Sequence, residues 1–265
     1  MLRELKTDKF DLHYRSDIID NTLLWESHCH ARLEMIAVID GSVSITLEGR
    51  DHKLSHGEAI VIPPLCYHAI SANKKGSYER LTVLFDQSAI PSVLRDSFST
   101  GEIASCSLET HILSELQRVC SVREKEYYLP LADSLMIEAL YELSSSSRAP
   151  SESKSDDTLG EILSYIDLNL SKMITLDDIA THTSRSKSSV CHIFEERMKI
   201  SPKQYILQKK LALATQMIRS GIPPTSAAPR VGYDNYSNFY RLYKKHCGHS
   251  PTDDVPHKNR SEEEI

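Results

Sequence analysis

The sequence predicts an α+β protein of two domains, an N-terminal β-barrel or jelly roll with trailing helices and an all-α C-terminal domain. Short apolar runs separated by Gly, Asn, Asp and Pro fill residues 10–86, which is typical of many short strands. From residue 158 onward the apolar residues recur at helical spacing. A Ser-rich, polar segment between the two regions is typical of a flexible linker.

The first region contains candidate strands followed by candidate helices. The strands are predicted at 35–39, 43–47, 59–62 and 81–85, and their close spacing favours a small barrel or jelly roll. Helical spacing follows at 108–119 and 131–143, where Pro130 suits the start of a helix. The second helix carries an apolar stripe, which indicates either packing on the barrel or a dimer contact: Leu131, Leu135, Ala139, Leu140 and Leu143.

These patterns divide the chain into five segments. They are a barrel (1–90), a helical segment attached to it (91–147), a linker (148–157), a helical domain (158–254) and a polar tail expected to be disordered (255–265). The N-terminus lacks the apolar core of a signal peptide, and the apolar runs are too short to cross a bilayer. Six cysteines without Cys-x-x-Cys spacing indicate free thiols, so we expect a cytoplasmic protein with no membrane partner.

The helical domain contains one pattern twice. Val190 aligns with Phe239, and both copies end in Ser-Pro, at 201–202 and at 250–251. Each copy has a short helix, a turn and a longer amphipathic helix, which together make a helix-turn-helix whose second helix can enter a major groove. A joining helix of about 18 residues would measure roughly 27 Å. That length suits two reading helices placed about one duplex turn, roughly 34 Å, apart.

The apolar stripe of each longer helix must face the core, so the opposite face predicts the DNA contacts. The predicted residues are Lys187, Ser188, Cys191 and His192 in the first copy, and Tyr236, Ser237, Asn238, Tyr240 and Arg241 in the second. Arg241 is the strongest candidate because a guanidinium pairs bidentately with guanine, as Asn238 can with adenine. His192 offers one hydrogen bond, so we expect less discrimination there. Pro229, inside the second short helix, predicts a distortion.

The charge distribution agrees with a DNA-binding second domain. The net charge of the whole chain is −6, yet residues 158–251 carry 13 basic against 7 acidic side chains. Residues 1–157 carry 16 basic against 25 acidic side chains. The basic excess therefore lies where phosphate contacts would need it.

A second constellation lies in the predicted barrel, where His28-x-His30-x-x-x-Glu34 is followed by His68. Alternate residues of a strand share a face, so His28, His30 and Glu34 are expected to point inward. Three imidazoles and a carboxylate suit Zn, Fe, Mn or Ni, and the alternative is a polar pocket for an organic effector. The same alternation turns Arg32 inward, where a cation would oppose a metal but favour an anionic effector.

These motifs resemble two known families. Residues 174–180, both runs that end in Ser-Pro, and Val231-Gly232-Tyr233 resemble the DNA-binding domain of the AraC family of bacterial transcription regulators, over most of 158–251. Residues 22–85 resemble a cupin barrel, whose motifs supply three histidines and a glutamate to a metal. Leu65 and Ala72 depart from the cupin pattern, and Lys199 stands where AraC-type proteins usually have Gly, which predicts a remodelled turn.

The AraC resemblance implies a sequence-specific regulator rather than an enzyme. Its implied partners are promoter DNA, a small-molecule effector such as a sugar or small anionic metabolite, a second copy of the chain, and RNA polymerase if it activates. The resemblance favours the dimer interpretation of the helices after the barrel. The alternative is a metal-dependent cupin oxygenase or isomerase fused to a DNA-binding domain. A third hypothesis is an architectural DNA-binding protein with a degenerate barrel and no ligand.

Overall fold

A computed structural model describes residues 2–19, 23–24, 27–72, 76–99, 104–122, 125–145 and 158–256. The chain forms two compact units, one of residues 1–28 and 32–153 and the other of residues 29–31 and 154–265. The predicted linker at 148–157 and the part of the predicted tail beyond Pro256 lie outside the described residues.

The first unit is built on two antiparallel sheets. Its strands are β1 (Leu2–Lys6), β2 (Phe10–Ile19), β3 (Leu23–Leu24), β4 (Leu33–Asp40), β5 (Ser42–Leu47), β6 (Arg50–Ser55), β7 (Glu58–Ile62), β8 (His68–Ala72), β9 (Gly76–Phe85) and β10 (Ala104–Ser107). One sheet has the order β1-β2-β9-β4-β7-β10 and the other β3-β8-β5-β6. The four predicted strands coincide with β4, β5, β7 and β9, and the α+β fold class is confirmed.

Strand β4 shows how alternation divides the core of this unit. Ile36 and Val38 join Ile45 and other side chains of the second sheet in a core that lies between the two sheets. Met35 and its odd-numbered neighbours point the other way, into a core shared with the helices that follow the barrel. Because both faces are covered, β4 is apolar almost throughout, and Glu34 is its buried exception.

The described residues of the first unit form three α-helices: α1 (Arg95–Ser99), which precedes β10, and α2 (Thr110–Ser121) and α3 (Leu129–Ser145), which follow it. The apolar stripe on α3 lies against the six-stranded sheet, where Leu135, Ala139, Leu140 and Leu143 are buried in the domain core. The interpretation of this stripe as a dimer contact is therefore wrong for these four residues, because the outer face of the sheet needs an apolar cover. Leu131 alone of the stripe remains 36% exposed.

The second unit contains the two predicted helix-turn-helix repeats. Its helices are α4 (Thr158–Leu168), α5 (Leu176–His182), α6 (Lys187–Met198), α7 (Pro202–Arg219), α8 (Pro224–Arg230) and α9 (Tyr236–Cys247), followed by a 3-10 turn at Pro251–Asp254. The first repeat is α5 with α6, the second is α8 with α9, and α7 is the joining helix. Within the described part of the chain, no helix is long and apolar enough to cross a membrane.

The repeats begin their helices with matching caps. The side chain of Ser186 accepts a hydrogen bond from the backbone N–H of Ser189 at the start of α6. At the start of α9, the side chain of Asn235 accepts one from the N–H of Asn238. Capping boxes follow each reading helix, at Ser201 with Gln204 and at Ser250 with Asp253. These caps satisfy N–H groups that a helix start leaves without a partner.

After the second reading helix, the Ser-Pro start produces only the 3-10 turn at Pro251–Asp254. The carboxylate of Asp254 is buried and accepts hydrogen bonds from Arg219 at 2.9 Å and from the Tyr243 hydroxyl at 2.5 Å. The turn is thereby fastened to the end of α7 and to the buried face of α9.

The distortion expected at Pro229 is not seen. Pro229 lies in the last turn of α8 with its ring exposed, so only one helical hydrogen bond is lost. The turn after α8 closes through a hydrogen bond from Tyr233 N to Ala228 O at 3.0 Å, as Arg185 N to Ala180 O does at 2.9 Å after α5. The second turn is one residue longer, since 231–235 connects α8 to α9 where 183–186 connects α5 to α6.

The remodelling expected at Lys199 is also wrong. Lys199 adopts the left-handed conformation, with φ 56° and ψ 24°, as the C-cap of α6. Gly248 caps α9 at the equivalent position with φ 81° and ψ −11°. Both repeats thus end the reading helix with a left-handed residue, and the first repeat does so with a residue that disfavours this conformation.

Candidate DNA-reading helices and ligand site

The reading helix of the first repeat presents a polar face. Lys187, Ser188 and His192 are exposed on α6 and Cys191 is partly buried, while Val190 and Phe194 are fully buried on the opposite side. Lys187 Nζ lies 2.7 Å from the Asp177 carboxylate of α5. The cation at the start of this helix is therefore partly neutralised by its own repeat.

The reading helix of the second repeat also presents a polar face. Ser237, Asn238 and Arg241 are exposed on α9. Tyr236 and Tyr240 are partly buried, and their ring centroids lie 6.4 Å apart along the helix. This face has a fork-shaped donor, an amide and two phenols, which are groups that can read base edges in a major groove.

A buried lysine fixes the joining helix to the segment after α4 and to the second repeat. Lys210 of α7 donates hydrogen bonds to the carbonyl oxygens of Lys172 at 2.6 Å and Val231 at 2.8 Å. These carbonyls follow α4 and α8 respectively, so one ammonium group ties the ends of two helices to α7. Burial lowers the pKa of Lys210. Lys210 is not among the residues predicted from the sequence. The adjacent pair Lys209 and Lys210 inside an apolar helix face could have indicated it.

The four residues of the predicted ligand site lie together. One potential ligand atom from each of His28, His30, Glu34 and His68 lies within 4.8 Å of all the others. Glu34 and His68 are buried, His30 is partly buried and His28 is exposed. The backbone holds two of them in register, because His28 and His68 exchange N–H to O hydrogen bonds at 3.0 and 2.9 Å. Three imidazoles and a carboxylate thus converge at one point, with His28 exposed and Glu34 and His68 buried.

His68 is oriented from both sides of its ring. Its Nδ1 donates to the carbonyl oxygen of Cys66 at 2.9 Å, which directs Nε2 toward the Glu34 carboxylate at 2.9 Å. Burial by itself would lower the pKa of His68, but the hydrogen bond and the charge of Glu34 outweigh it and raise that pKa. A carbonyl that holds one ring nitrogen while the other faces a ligand is the arrangement found around metal-bound histidines.

Arg32 does not belong to this group. Its guanidinium contacts the Asp11 carboxylate, donates to the carbonyl oxygen of Leu84 at 2.8 Å, and lies 3.8 Å from Asp86. An anionic effector at Arg32 would have to compete with Asp11. A role of Arg32 in effector binding stays a prediction.

Two family models match the chain. A model described as an AraC-like ligand binding domain matches residues 15–154, and one described as a helix-turn-helix domain matches residues 179–254. The first match corresponds to the unit that contains the sheets, and the second to the helical unit.

Individual proteins are similar to the chain at modest identity. The uncharacterized HTH-type transcriptional regulator YdiP of Escherichia coli (strain K12) is 32% identical over 101 residues, which cover 38% of this chain and 33% of YdiP. The first two curated relatives, YdiP and the probable transcriptional regulator LumQ of Photobacterium leiognathi, are matched over about a third of their lengths (33% and 36%).

Two further similarities extend over most of the chain. The uncharacterized HTH-type transcriptional regulator YobQ of Bacillus subtilis (strain 168) is 24% identical over 234 residues, which cover 87% of this chain and 88% of YobQ. A 1.65 Å structure of ToxT from Vibrio cholerae aligns with a TM-score of 0.44 and 11% identity over 93% of this chain and 97% of ToxT.

Proposed function

We propose, because the chain belongs to the AraC family of transcription regulators, that α6 and α9 read a promoter site and that His28, His30, Glu34 and His68 bind a ligand. The chain is a transcription regulator with an N-terminal ligand-binding domain and a C-terminal helix-turn-helix domain. The observation that carries the reading proposal is the exposed polar face that each reading helix turns away from its buried stripe.

The reading proposal is tested at Arg241, with a binding site first selected from random DNA. Arg241→Ala should weaken binding to that site by about 1–3 kcal/mol, roughly 5- to 150-fold, and relax the preference at one base pair. Arg241→Lys keeps the charge and loses the fork, so it should retain most non-specific affinity yet lose the preference. Equal binding of the wild-type chain to all sequences would refute the proposal.

The ligand site fits a divalent transition metal. Its four potential ligand atoms are close enough to converge on one ion with small adjustments, and the donor set suits Zn, Fe, Mn or Ni. Bound there, such an ion would act as a Lewis acid or as a fixed positive charge. The residues themselves hold the site in shape through the His68 contact to Cys66 and the backbone pairing with His28. The second hypothesis, a small organic effector such as a sugar, uses the same donors as hydrogen-bonding groups.

Metal analysis of protein purified without a tag decides between these two ligands. Stoichiometric metal that is lost in His68→Ala, and retained in the partly exposed control His13→Ala, would support the metal. A metal-free chain whose affinity for its DNA site responds to an organic metabolite would support the organic effector. If no ligand bound by the barrel changes DNA affinity, the coupling of ligand to DNA binding is refuted.

We place the proposed dimer contact on the exposed face of α3, because the buried stripe is already used. Leu131 and Tyr141, which is 60% exposed, lie on one face of the helix. Leu131→Glu with Tyr141→Glu should give a monomer in sedimentation experiments, with Ser114→Glu at an exposed position of α2 as the control. A dimer that persists in the double variant would refute this placement.

We also propose an activity and a cellular compartment for the chain. We propose that the chain acts in the cytoplasm without catalysis, and that it contacts RNA polymerase if it activates transcription. The family membership supports a regulator over a cupin oxygenase or isomerase. Turnover of a small substrate that depends on bound metal and on His68 would favour the enzyme instead.

A further inference from the structure

The two helix-turn-helix repeats differ in charge although they match in fold. The first repeat, residues 176–200, has four basic and four acidic side chains, so its formal charge is zero. The second repeat, residues 224–249, has four basic side chains and one acidic one, so its charge is +3. The difference comes from acidic residues, because the number of Lys and Arg residues is the same.

The difference is concentrated at equivalent places on the reading helices. Lys244 and Lys245 are exposed on α9, three and four residues beyond Arg241, and therefore lie on the same face of the helix. The positions that match them on α6 are occupied by Glu195 and Glu196, which are also exposed. The same surface is thus cationic in the second repeat and anionic in the first.

The short helices show the same contrast. In the first repeat, Asp177 of α5 lies 2.7 Å from the Nζ of Lys187 and offsets its charge. The short helix of the second repeat, Pro224–Arg230, has no Asp or Glu in its sequence and ends in an exposed arginine. Both helices of the second repeat therefore add to a positive field, whereas the first repeat cancels its own.

Lysines in the last turn of a helix also stabilise the helix dipole, which offers a purely structural reason for Lys244 and Lys245. That reason does not account for their alignment with Arg241. It also does not account for Glu195 and Glu196 in the second half of α6, where the dipole disfavours acids. An interface with a polyanion accounts for the lysines, because the far end of a reading helix commonly contacts the DNA backbone.

We propose that the two repeats contribute unequally to DNA binding. The second repeat binds phosphates through Lys244 and Lys245 and supplies most of the salt-dependent affinity. The first repeat makes short-range contacts with little net electrostatic attraction. This inference rests on the proposed function, since it assumes that α6 and α9 face the same DNA.

The test measures the affinity of the full chain for its selected site between 50 and 200 mM salt. Each phosphate contact adds roughly 0.9 to the slope of log K against log salt, so Lys244→Ala with Lys245→Ala should reduce the slope by about 1.8. Over this fourfold range of salt, wild-type affinity should then fall about tenfold more than that of the double variant. The matched variant, Lys187→Ala with Arg197→Ala on α6, should reduce the slope by less than half as much.

Two outcomes would overturn the proposal. An unchanged slope in Lys244→Ala with Lys245→Ala would show that these lysines only stabilise the helix, and would overturn the proposal. A reduction of equal or greater size in the α6 variant would overturn the inequality. Thermal unfolding of both variants by circular dichroism identifies any loss that comes from unfolding. The proposed function fails separately, through equal binding of the wild-type chain to all sequences.

Discussion

The left-handed lysine at the end of the first reading helix gives a prediction whose size follows from the backbone. Lys199 has φ 56°, and the equivalent residue of the second repeat, Gly248, has φ 81°. Lys199→Gly should therefore stabilise the helical unit, because it removes a side chain from a conformation that glycine adopts freely.

The expected gain is a difference between two opposing effects. An L-residue in the left-handed region is disfavoured by about 1–2 kcal/mol. Glycine increases the conformational entropy of the unfolded chain, which offsets about 0.4–1 kcal/mol of that gain. Lys199→Gly should therefore increase the free energy of unfolding by about 0.5–1 kcal/mol. Lys199 is exposed, so few packing contacts are lost.

Hydrogen exchange in the full chain is the suitable assay, because it reports on α6 and α7 without requiring the two units to unfold together. A gain of this size slows their amide exchange about two- to fivefold. Gly248→Ala is the reciprocal control: an added Cβ there meets no atom within 4 Å, so only the backbone conformation should destabilise the variant. If Lys199→Ala stabilises as much as Lys199→Gly, the gain comes from losing the charged side chain, and the argument from the backbone fails.

Three further predictions concern other contacts. Gly232→Ala should destabilise the helical unit by at least about 2 kcal/mol. Gly232 has φ 79°, and an added Cβ would lie 2.7 Å from Lys210 Nζ and 3.0 Å from the Lys172 carbonyl oxygen. Amide hydrogen exchange that is no faster than in Gly248→Ala would contradict this prediction. Burial alone would raise the pKa of Asp11, but the neighbouring Arg32 outweighs burial and holds that pKa below 3.8. The ion pair therefore stabilises the folded state above pH 3.8, and this stabilisation is lost as the pH falls further. Asp11→Asn should thus lower the free energy of unfolding by about 1.5–3 kcal/mol at pH 7 and reduce the loss of that free energy toward pH 2.5. Urea titration followed by circular dichroism can measure both, and an unchanged acid dependence would refute the role of the pair. Pro229→Ala should keep or improve DNA affinity, since it restores a backbone donor in the last turn of α8, and a marked loss of affinity would show that the proline has a role of its own.

Much of the fold could be predicted because local signals and tertiary packing agree. The Ser-Pro starts, the helix caps and the apolar spacing each specify the same helices in both repeats, and the strands alternate as a two-sided sheet requires. Three of the ligand-site residues could be grouped from spacing, because His28 and His30 precede β4 closely and Glu34 lies within it. His68 could be added only through the resemblance to the cupin motifs.

Other features depended on long-range contacts that no local pattern reveals. The stripe on α3 is compatible with a dimer or with a core, and only the six-stranded sheet beneath it decides. Arg32 was expected to face a ligand, yet Asp11, 21 residues earlier in the chain, occupies its guanidinium. A lysine is unfavourable in a core, and Lys210 is accommodated because it donates hydrogen bonds to two carbonyl oxygens from distant turns. Lys199 shows the converse, a local preference overruled by the turn that its repeat requires.

The short turn at the end of the second repeat shows that the start of a helix and its length are encoded by different residues. The same Ser-Pro opening and the same capping box nucleate an 18-residue helix at Pro202 and a four-residue turn at Pro251. The residues that follow determine elongation: Val255 precedes a proline and adopts the extended conformation, with φ −69° and ψ 126°, that proline imposes on its predecessor. The same helix start can therefore begin a long helix at one place and a short turn at another, because the residues that follow it set the length.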